Sequence, residues 1–308
     1  MSHDKKMAAH CKISSVFRAN LFKDKVAIVT GGGTGIGKAI TQELLFLGCK
    51  VMIASRKLDR LSESAKVLQS QISNKNAELD HMQCNIRQED QVKDLISTTV
   101  SRFGRLDFLV NNGGGQFPSP AFDIKLKGWN AVIETNLTGT FLCCREAHNQ
   151  WMAEHGGVIV NIIADMWKGF PMMSHTGAAR AAVDNLTKSL AIEWASHGVR
   201  INSVAPGSSI YSETAAANYG SPEIFNRNIP GIPAKRLGTV EEVSAAVCFL
   251  LSPAASFISG ETLKVDAGAS LYSTMWEIPD HNRIPAYKWE TDNVDSNNDN
   301  DNGSKSKL

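Results

Sequence analysis

Short apolar runs recur along the chain at Val26–Val29, Val51–Ala54, His81–Cys84, Phe108–Val110, Val158–Ile163, Ile201–Ala205 and Leu263–Val265. Between them lie stretches in which apolar residues return at helical spacing: Gly37–Leu47, Gln91–Phe103, Trp129–Glu146 and Ala178–Ala195. A strand that is apolar at successive residues is covered on both faces, and strands separated by helices are joined by crossovers. The pattern predicts an α/β fold, a doubly wound parallel sheet of about seven strands with helices on both sides. No internal repeat is visible. Residues 1–20 and 277–308 read as tails, which leaves residues 21–276 as a single domain.

Composition narrows the picture without redirecting it. A chain of 308 residues suits one core plus tails. Its formal net charge of +1 gives no global field to recruit nucleic acid. The cysteines Cys11, Cys49, Cys84, Cys143, Cys144 and Cys248 form no C-x-x-C pair, so buried reduced thiols are expected and no metal site. No apolar stretch reaches the roughly 18–20 residues of a membrane span. The first residues lack the apolar centre of a secretory signal. The chain ends Ser306-Lys307-Leu308 behind a polar stretch that cannot bury itself. That tripeptide is an address read by the peroxisomal import receptor, so a peroxisomal location and that receptor as partner are expected.

The first apolar run leads into Thr30-Gly31-Gly32-Gly33-Thr34-Gly35-Ile36-Gly37, after which the first helical pattern starts. Glycines permit a tight turn and close backbone approach to a pyrophosphate, and a helix N-terminus presents free N–H groups to its oxygens. Placed between strand and helix, this loop predicts a Rossmann-like dinucleotide site at Gly31, Gly33, Thr34, Gly35, Ile36 and Gly37. The second strand ends in Ser55, Arg56 and Lys57, with no acid to bond a ribose 2′-hydroxyl. A basic turn there suits a 2′-phosphate, and the expected cofactor is NADPH.

The T-G-x-x-x-G-x-G spacing resembles the short-chain dehydrogenase/reductase family. Asn111-Asn112-Gly113-Gly114 is similar to its N-N-A-G element, Asn136 to its helix asparagine, and Pro206-Gly207 and Asp266-Ala267-Gly268 to its later loops. The resemblance covers about residues 22–273. It implies that Asn85 and Ile86 meet the adenine, that Asn112, Gly113, Gly114, Pro206 and Gly207 line the nicotinamide end, and that Arg180 binds the ribose. It also implies that Asn136 helps to hold an active-site water, and that the protein is a homo-oligomer, a tetramer built through its two long helices.

In the family pattern a Ser, a Tyr and a Lys reduce ketones, and the Tyr delivers the proton. The matching positions here hold Ile163, Thr176 and Arg180. Threonine is too weak an acid to replace a phenol. Reduction of an α,β-unsaturated thioester tolerates that loss, because charge develops on an oxygen that needs only hydrogen-bond donors. The runs Phe108–Phe117, His175–Arg180 and Ser252–Phe257 are similar to the family's peroxisomal trans-2-enoyl-CoA reductases. That similarity implies an NADPH-dependent enzyme of fatty-acid metabolism with an acyl-CoA substrate. Such enzymes are assigned a Tyr and a Lys where this chain has Asp184 and Lys188. Related 2,4-dienoyl-CoA reductases carry an acid after the fifth strand, near Asp165. Dienoyl-CoA reduction and an NADP-binding scaffold without activity are the alternatives. Lys125, Lys127, Lys168 and Lys235 are candidates to meet CoA phosphates.

Overall fold

The computed structural model describes residues 15–214, 216, 223–272 and 277–289. Seven strands form one sheet: β1 (Val26–Thr30), β2 (Lys50–Ser55), β3 (Glu78–Gln83), β4 (Phe108–Asn111), β5 (Gly157–Ile162), β6 (Val199–Pro206) and β7 (Thr262–Val265). Their order is β3-β2-β1-β4-β5-β6-β7, and every pairing is parallel. The expected doubly wound sheet is therefore present. The third strand starts and ends earlier than the apolar run His81–Cys84 suggests. It lies at the sheet edge and is only partly covered, so alternation in Glu78–Gln83 replaces a continuous apolar run.

Six helices cover the sheet: α1 (Gly35–Phe46), α2 (Leu58–Ser70), α3 (Glu89–Phe103), α4 (residues 126–155), α5 (Ser174–Glu193) and α6 (Val240–Leu251). Successive strand residues face opposite sides. Ala27 and Val29 pack with Ile40 and Leu44 of α1, Leu61 of α2 and Val243 and Val247 of α6. Ile28 packs with Leu95 and Ile96 of α3, Leu142 of α4 and Leu190 of α5. Strand β1 is buried throughout because both faces carry a helical layer. Truncating a fully buried aliphatic such as Ile28 costs about 2–5 kcal/mol.

Helix α4 runs unbroken but contains two π-helical turns, Glu134–Thr138 and His148–Met152. The first carries Asn136. Beneath the C-terminal edge of the sheet, Asn111 Nδ2 donates to Asn161 Oδ1 at 2.9 Å, and Asn161 Nδ2 donates to Thr187 Oγ1 at 3.0 Å. Thr187 and Ser203 share a hydroxyl contact of 2.8 Å. This buried chain ties β4, β5, β6 and α5 together where the candidate site rests on them.

The expected tail boundaries are corrected. Ser15 donates to Glu43 Oε1 at 2.6 Å, and Phe17 packs on the core. Residues 277–289 also lie on the domain. His281 Nε2 contacts Pro233 O at 2.9 Å, Arg236 Nε donates to Ile284 O at 2.9 Å, and Thr239 Oγ1 donates to Tyr287 O at 2.8 Å. Trp289 is buried. A few aromatic anchors hold segments whose average composition is polar. Ser306, Lys307 and Leu308 lie outside the described residues. Among the described residues no helix is long and apolar enough to cross a membrane, and no cluster of metal-ligating side chains occurs.

Glu43 is fully buried between α1 and α6, where Ser15 and Ser244 donate to it. Burial pushes its carboxyl above the ordinary value; hydrogen bonds from Ser15, Ser244 and Cys248 oppose the rise, and the charge of Glu241 adds to it. A carboxyl with a raised folded pKa contributes most below its unfolded pKa, and that contribution fades as pH rises through the folded value. Glu43→Gln is expected to flatten this dependence. Thermal melts from pH 4 to 8 should show the variant gaining on the wild type as pH increases, and a constant difference would contradict the assignment.

Candidate active site

The chain runs outward from β1 to β3 on one side and from β4 to β7 on the other. A crevice therefore opens beyond the ends of β1 and β4, the usual ligand position in such sheets. Gly31 and Gly35 take φ of +67° and +52°, conformations that favour glycine. A Cβ on Gly37 would overlap the Gly31 carbonyl oxygen and Asn112 Nδ2. Thr34 precedes α1 in an extended conformation without a side-chain cap bond, and the first turn of α1 holds no acid. The helix thus offers uncapped N–H groups and an unopposed positive end to an anion.

Strand β4 is stitched to this loop. Asn112 Nδ2 donates to Thr30 O at 3.0 Å and to Gly31 O at 3.3 Å. Thr30 Oγ1 accepts from Asn112 N at 3.1 Å and from Gly113 N at 2.8 Å. Ser55 ends β2, Arg56 and Lys57 follow it, and the latter two are exposed. Arg56 and Asn85 border one open cleft of about 450 Å³, with Met82, Gln83, Gln91 and Asp94. Ile86 is buried beneath it and would meet any Cβ placed on Gly139 or Gly113. Pro206 ends β6, and Gly207 N donates to Val265 O at 2.9 Å.

Further into the crevice, Asn136 is fully buried and spends both side-chain groups on one residue. Its Oδ1 accepts from Gly115 N at 3.0 Å, and its Nδ2 donates to Gly115 O at 2.9 Å. Asn136 thereby fixes the backbone of the glycine loop after β4. Arg180 is buried, and its Nη1 donates to Ile162 O at 2.7 Å. A Cβ on Gly114 would overlap Arg180 Nη2 and lie 2.9 Å from Asn136 Oδ1. No carboxylate pairs with Arg180 among the described residues. Burial lowers its guanidinium to about 10, so it remains a cation at neutral pH.

The candidate acids lie elsewhere. Asp184 binds Lys188 at 2.5 Å and accepts from Thr262 Oγ1 at 2.6 Å, an ion pair along α5 braced against β7. Asp184 and Lys188, which stand where relatives are assigned a Tyr and a Lys, are brought together in this ion pair, as their i, i+4 spacing allows. Asp165 sits past β5 with Asp266 and Lys264 rather than with Arg180. Burial, and then the charge of Asp266, raise its carboxyl above the ordinary value. At Asp266 burial also acts upward, but bonds from Ser270 and Gly268 outweigh it and lower the carboxyl.

This geometry can be set beside known proteins. Residues 31–270 match the family described as enoyl-(acyl carrier protein) reductase. A peroxisomal 2,4-dienoyl-CoA reductase, (3E)-enoyl-CoA-producing, from Danio rerio is 36% identical over 263 residues, 85% of this chain and 87% of that protein. A probable 2,4-dienoyl-CoA reductase, (2E)-enoyl-CoA-producing, from Bacillus subtilis is 38% identical over 247 residues, 79% of this chain and 96% of that protein. The chain belongs to the short-chain dehydrogenase/reductase family. A citronellol catabolism dehydrogenase from Pseudomonas aeruginosa superposes with a TM-score of 0.73 at 41% identity, over 83% of this chain and 99% of that one. The chain is thus an oxidoreductase with a nicotinamide nucleotide cofactor, and its glycine loop, uncapped helix and unpaired Arg180 fit such a group.

As a short-chain dehydrogenase/reductase the chain departs from the Ser-Tyr-Lys pattern in three dimensions as well as in sequence. Ile163 lies in a small apolar cluster with Val183 and Ala205. Thr176 is fully buried, and its Oγ1 has no hydrogen-bond partner. No tyrosine among the described residues replaces the phenol at that position: Tyr211 packs on Phe225, Tyr272 is half-buried beyond β7, and Tyr287 accepts from Val16 N. Of the lysine candidates, Lys168 donates to Tyr272 O and Lys235 to Pro230 O.

Several site contacts are not read from a motif. Thr30, the first residue of the glycine motif, acts through Asn112, whose contact needs the β1–β4 pairing. Ser212 and Thr214 approach the glycine loop, within 3.4 Å and 3.9 Å of where a Gly35 Cβ would stand. His175 is fully buried beside Thr176. Filling the space at Gly114 should be costly, since overpacking a fixed site costs about 1–3 kcal/mol. Gly114→Ala is expected to weaken NADPH binding about tenfold or more in a fluorescence titration, and wild-type affinity would refute the close packing against Arg180.

Proposed function

We propose that this chain uses NADPH to saturate the 2,3 double bond of trans-2-enoyl-CoA esters in fatty-acid metabolism. The observation that carries the reading is the base of the crevice. There Arg180 lies against Gly114, one helical turn after Thr176, and among the described residues neither a phenol nor a carboxylic acid is bonded to Arg180. A ketone reductase must protonate an alkoxide as it forms. An enoyl thioester places charge on its carbonyl oxygen as an enolate, and donors suffice for that.

The bound cofactor supplies the hydride. The glycine loop and the start of α1 would hold the pyrophosphate, Ser55, Arg56 and Lys57 the 2′-phosphate, and Arg180 the nicotinamide ribose. Asn136 fixes Gly115, and so sets the wall against which the reacting ring lies. Two electrons and a hydrogen arrive at Cβ, the π pair moves toward the thioester oxygen, and water returns a proton to Cα. The acyl chain is reduced as the cofactor is oxidised.

A second reading, reduction of 2,4-dienoyl-CoA esters, is favoured by the names of the relatives from Danio rerio and Bacillus subtilis. The raised carboxyl of Asp165, in the loop after β5 beside Asp266, favours it too. Peroxisomal delivery is proposed on the printed names of several relatives. Assembly into a homo-oligomer, a tetramer through α4 and α5, is supported by the exposed Trp129, Phe141 and Ile192 on those helices.

NADPH consumption with trans-2-decenoyl-CoA and with 2,4-decadienoyl-CoA, side by side, tests both readings. Preference for the first ester supports the proposal, and preference for the second adopts the alternative. Reversible turnover of a simple alcohol–ketone pair would overturn both. A charge-assisted bond contributes about 1.5–3 kcal/mol. Arg56→Glu should accordingly lower NADPH selectivity over NADH by about tenfold or more in kcat/KM, and an unchanged ratio would show that the basic turn does not read the phosphate.

A further inference from the structure

Two polar side chains at the start of α5 are buried without partners. The Thr176 backbone N–H donates to Met173 O at 2.9 Å and to His175 Nδ1 at 2.9 Å, and with Nδ1 accepting, the ring offers Nε2 as a donor. Nε2 has no hydrogen-bond partner, and neither has the adjoining Thr176 Oγ1, although both residues are fully buried. Buried donors are satisfied in the great majority of cases, and an exception of this kind calls for a ligand or a function. The two exceptions stand on neighbouring residues, about one helical turn before Arg180.

The surroundings explain why no bond forms within the chain. The Phe117 ring stands edge-on to the His175 ring, with centroids 4.6 Å apart and planes at 87°. Phe170 lies within 2.9 Å of where a Gly177 Cβ would stand. The loops that carry these rings are joined by Ser119 N donating to Met172 O at 2.7 Å. Met172 takes φ of +66°, a strained conformation for a side chain of its size. Two loops thus close an apolar cover over two donors, and Phe117 remains partly exposed at the outer side of that cover.

We propose that His175 Nε2–H and Thr176 Oγ1–H are the donors that take up the thioester carbonyl oxygen of the acyl-CoA, reached when Phe117 leaves the face of α5. This assignment rests on the acyl-CoA reading above. It replaces the missing phenol with hydrogen-bond donors, which stabilise the enolate oxygen without protonating it. The N-terminal end of α5, with its positive dipole, lies under the same oxygen. Phe117 then packs against the acyl chain in place of the imidazole.

The test compares the wild type with Thr176→Val, Thr176→Ser, His175→Leu and His175→Gln on the full-length protein, using trans-2-decenoyl-CoA, 2,4-decadienoyl-CoA and NADPH. Thr176→Val and His175→Leu are expected to lower kcat about 10- to 100-fold with NADPH affinity intact and little change in KM. Thr176→Ser and His175→Gln, which keep a donor, should restore most of the rate. Wild-type kcat in both donor-less variants overturns the assignment and leaves the enzymatic reading standing. Absence of wild-type turnover with either ester overturns both together. Should His175→Leu lose NADPH binding through misfolding, the Thr176→Val and Thr176→Ser pair decides alone, and equal kcat in those two refutes the proposal.

Discussion

The architecture of the site depends on how closely the backbone after β1 approaches the backbone after β4. Gly37 stacks on Gly31 with no room for a Cβ, and Asn112 fills the remaining gap by bonding to the carbonyls of Thr30 and Gly31. Thr30 answers with its hydroxyl to two N–H groups of the opposite loop. Because both strands are buried in the middle of the sheet, this contact cannot relax without disturbing the core. It keeps the positive end of α1 open toward the crevice and fixes where the glycines after β4 begin.

From that fixed start the loop after β4 is held again by Asn136. A π turn in α4 carries this residue, and extra turns of this kind often occur at functional positions. Both its polar groups close on Gly115, so the peptide has a single orientation. Gly114 in turn leaves room for Arg180. A guanidinium buried beside backbone, with one carbonyl partner and no anion, is costly to keep desolvated. Its surviving charge makes the crevice a place for hydroxyls and developing negative charge.

The same economy separates this chain from ketone-reducing members of its family. Its Ser, Tyr and Lys positions have become an apolar residue, a buried hydroxyl and an arginine, while the framework that places a cofactor beside them is intact. The buried Asn111–Asn161–Thr187–Ser203 chain beneath them makes the floor of the site polar and ties its strands to α5. A crevice rich in donors suits an acceptor whose charge is spread along a conjugated thioester.

Sequence by itself determined the strands, their parallel arrangement and the cofactor loop, because apolar periodicity and glycine spacing act over a few residues. It also exposed the missing phenol, since an absent residue type needs no coordinates. Tertiary structure decided the rest. The i, i+4 spacing of Asp184 and Lys188 already allows their ion pair, but only the fold shows Asp184 also bound to Thr262 of a distant strand. Asp165 faces Asp266, which is far along the chain. The stretches taken for tails are anchored by Ser15 and Trp289 through contacts with α1 and the core. Each of these outcomes depends on which distant backbone passes within a few ångströms, and local pattern carries no information about that distance.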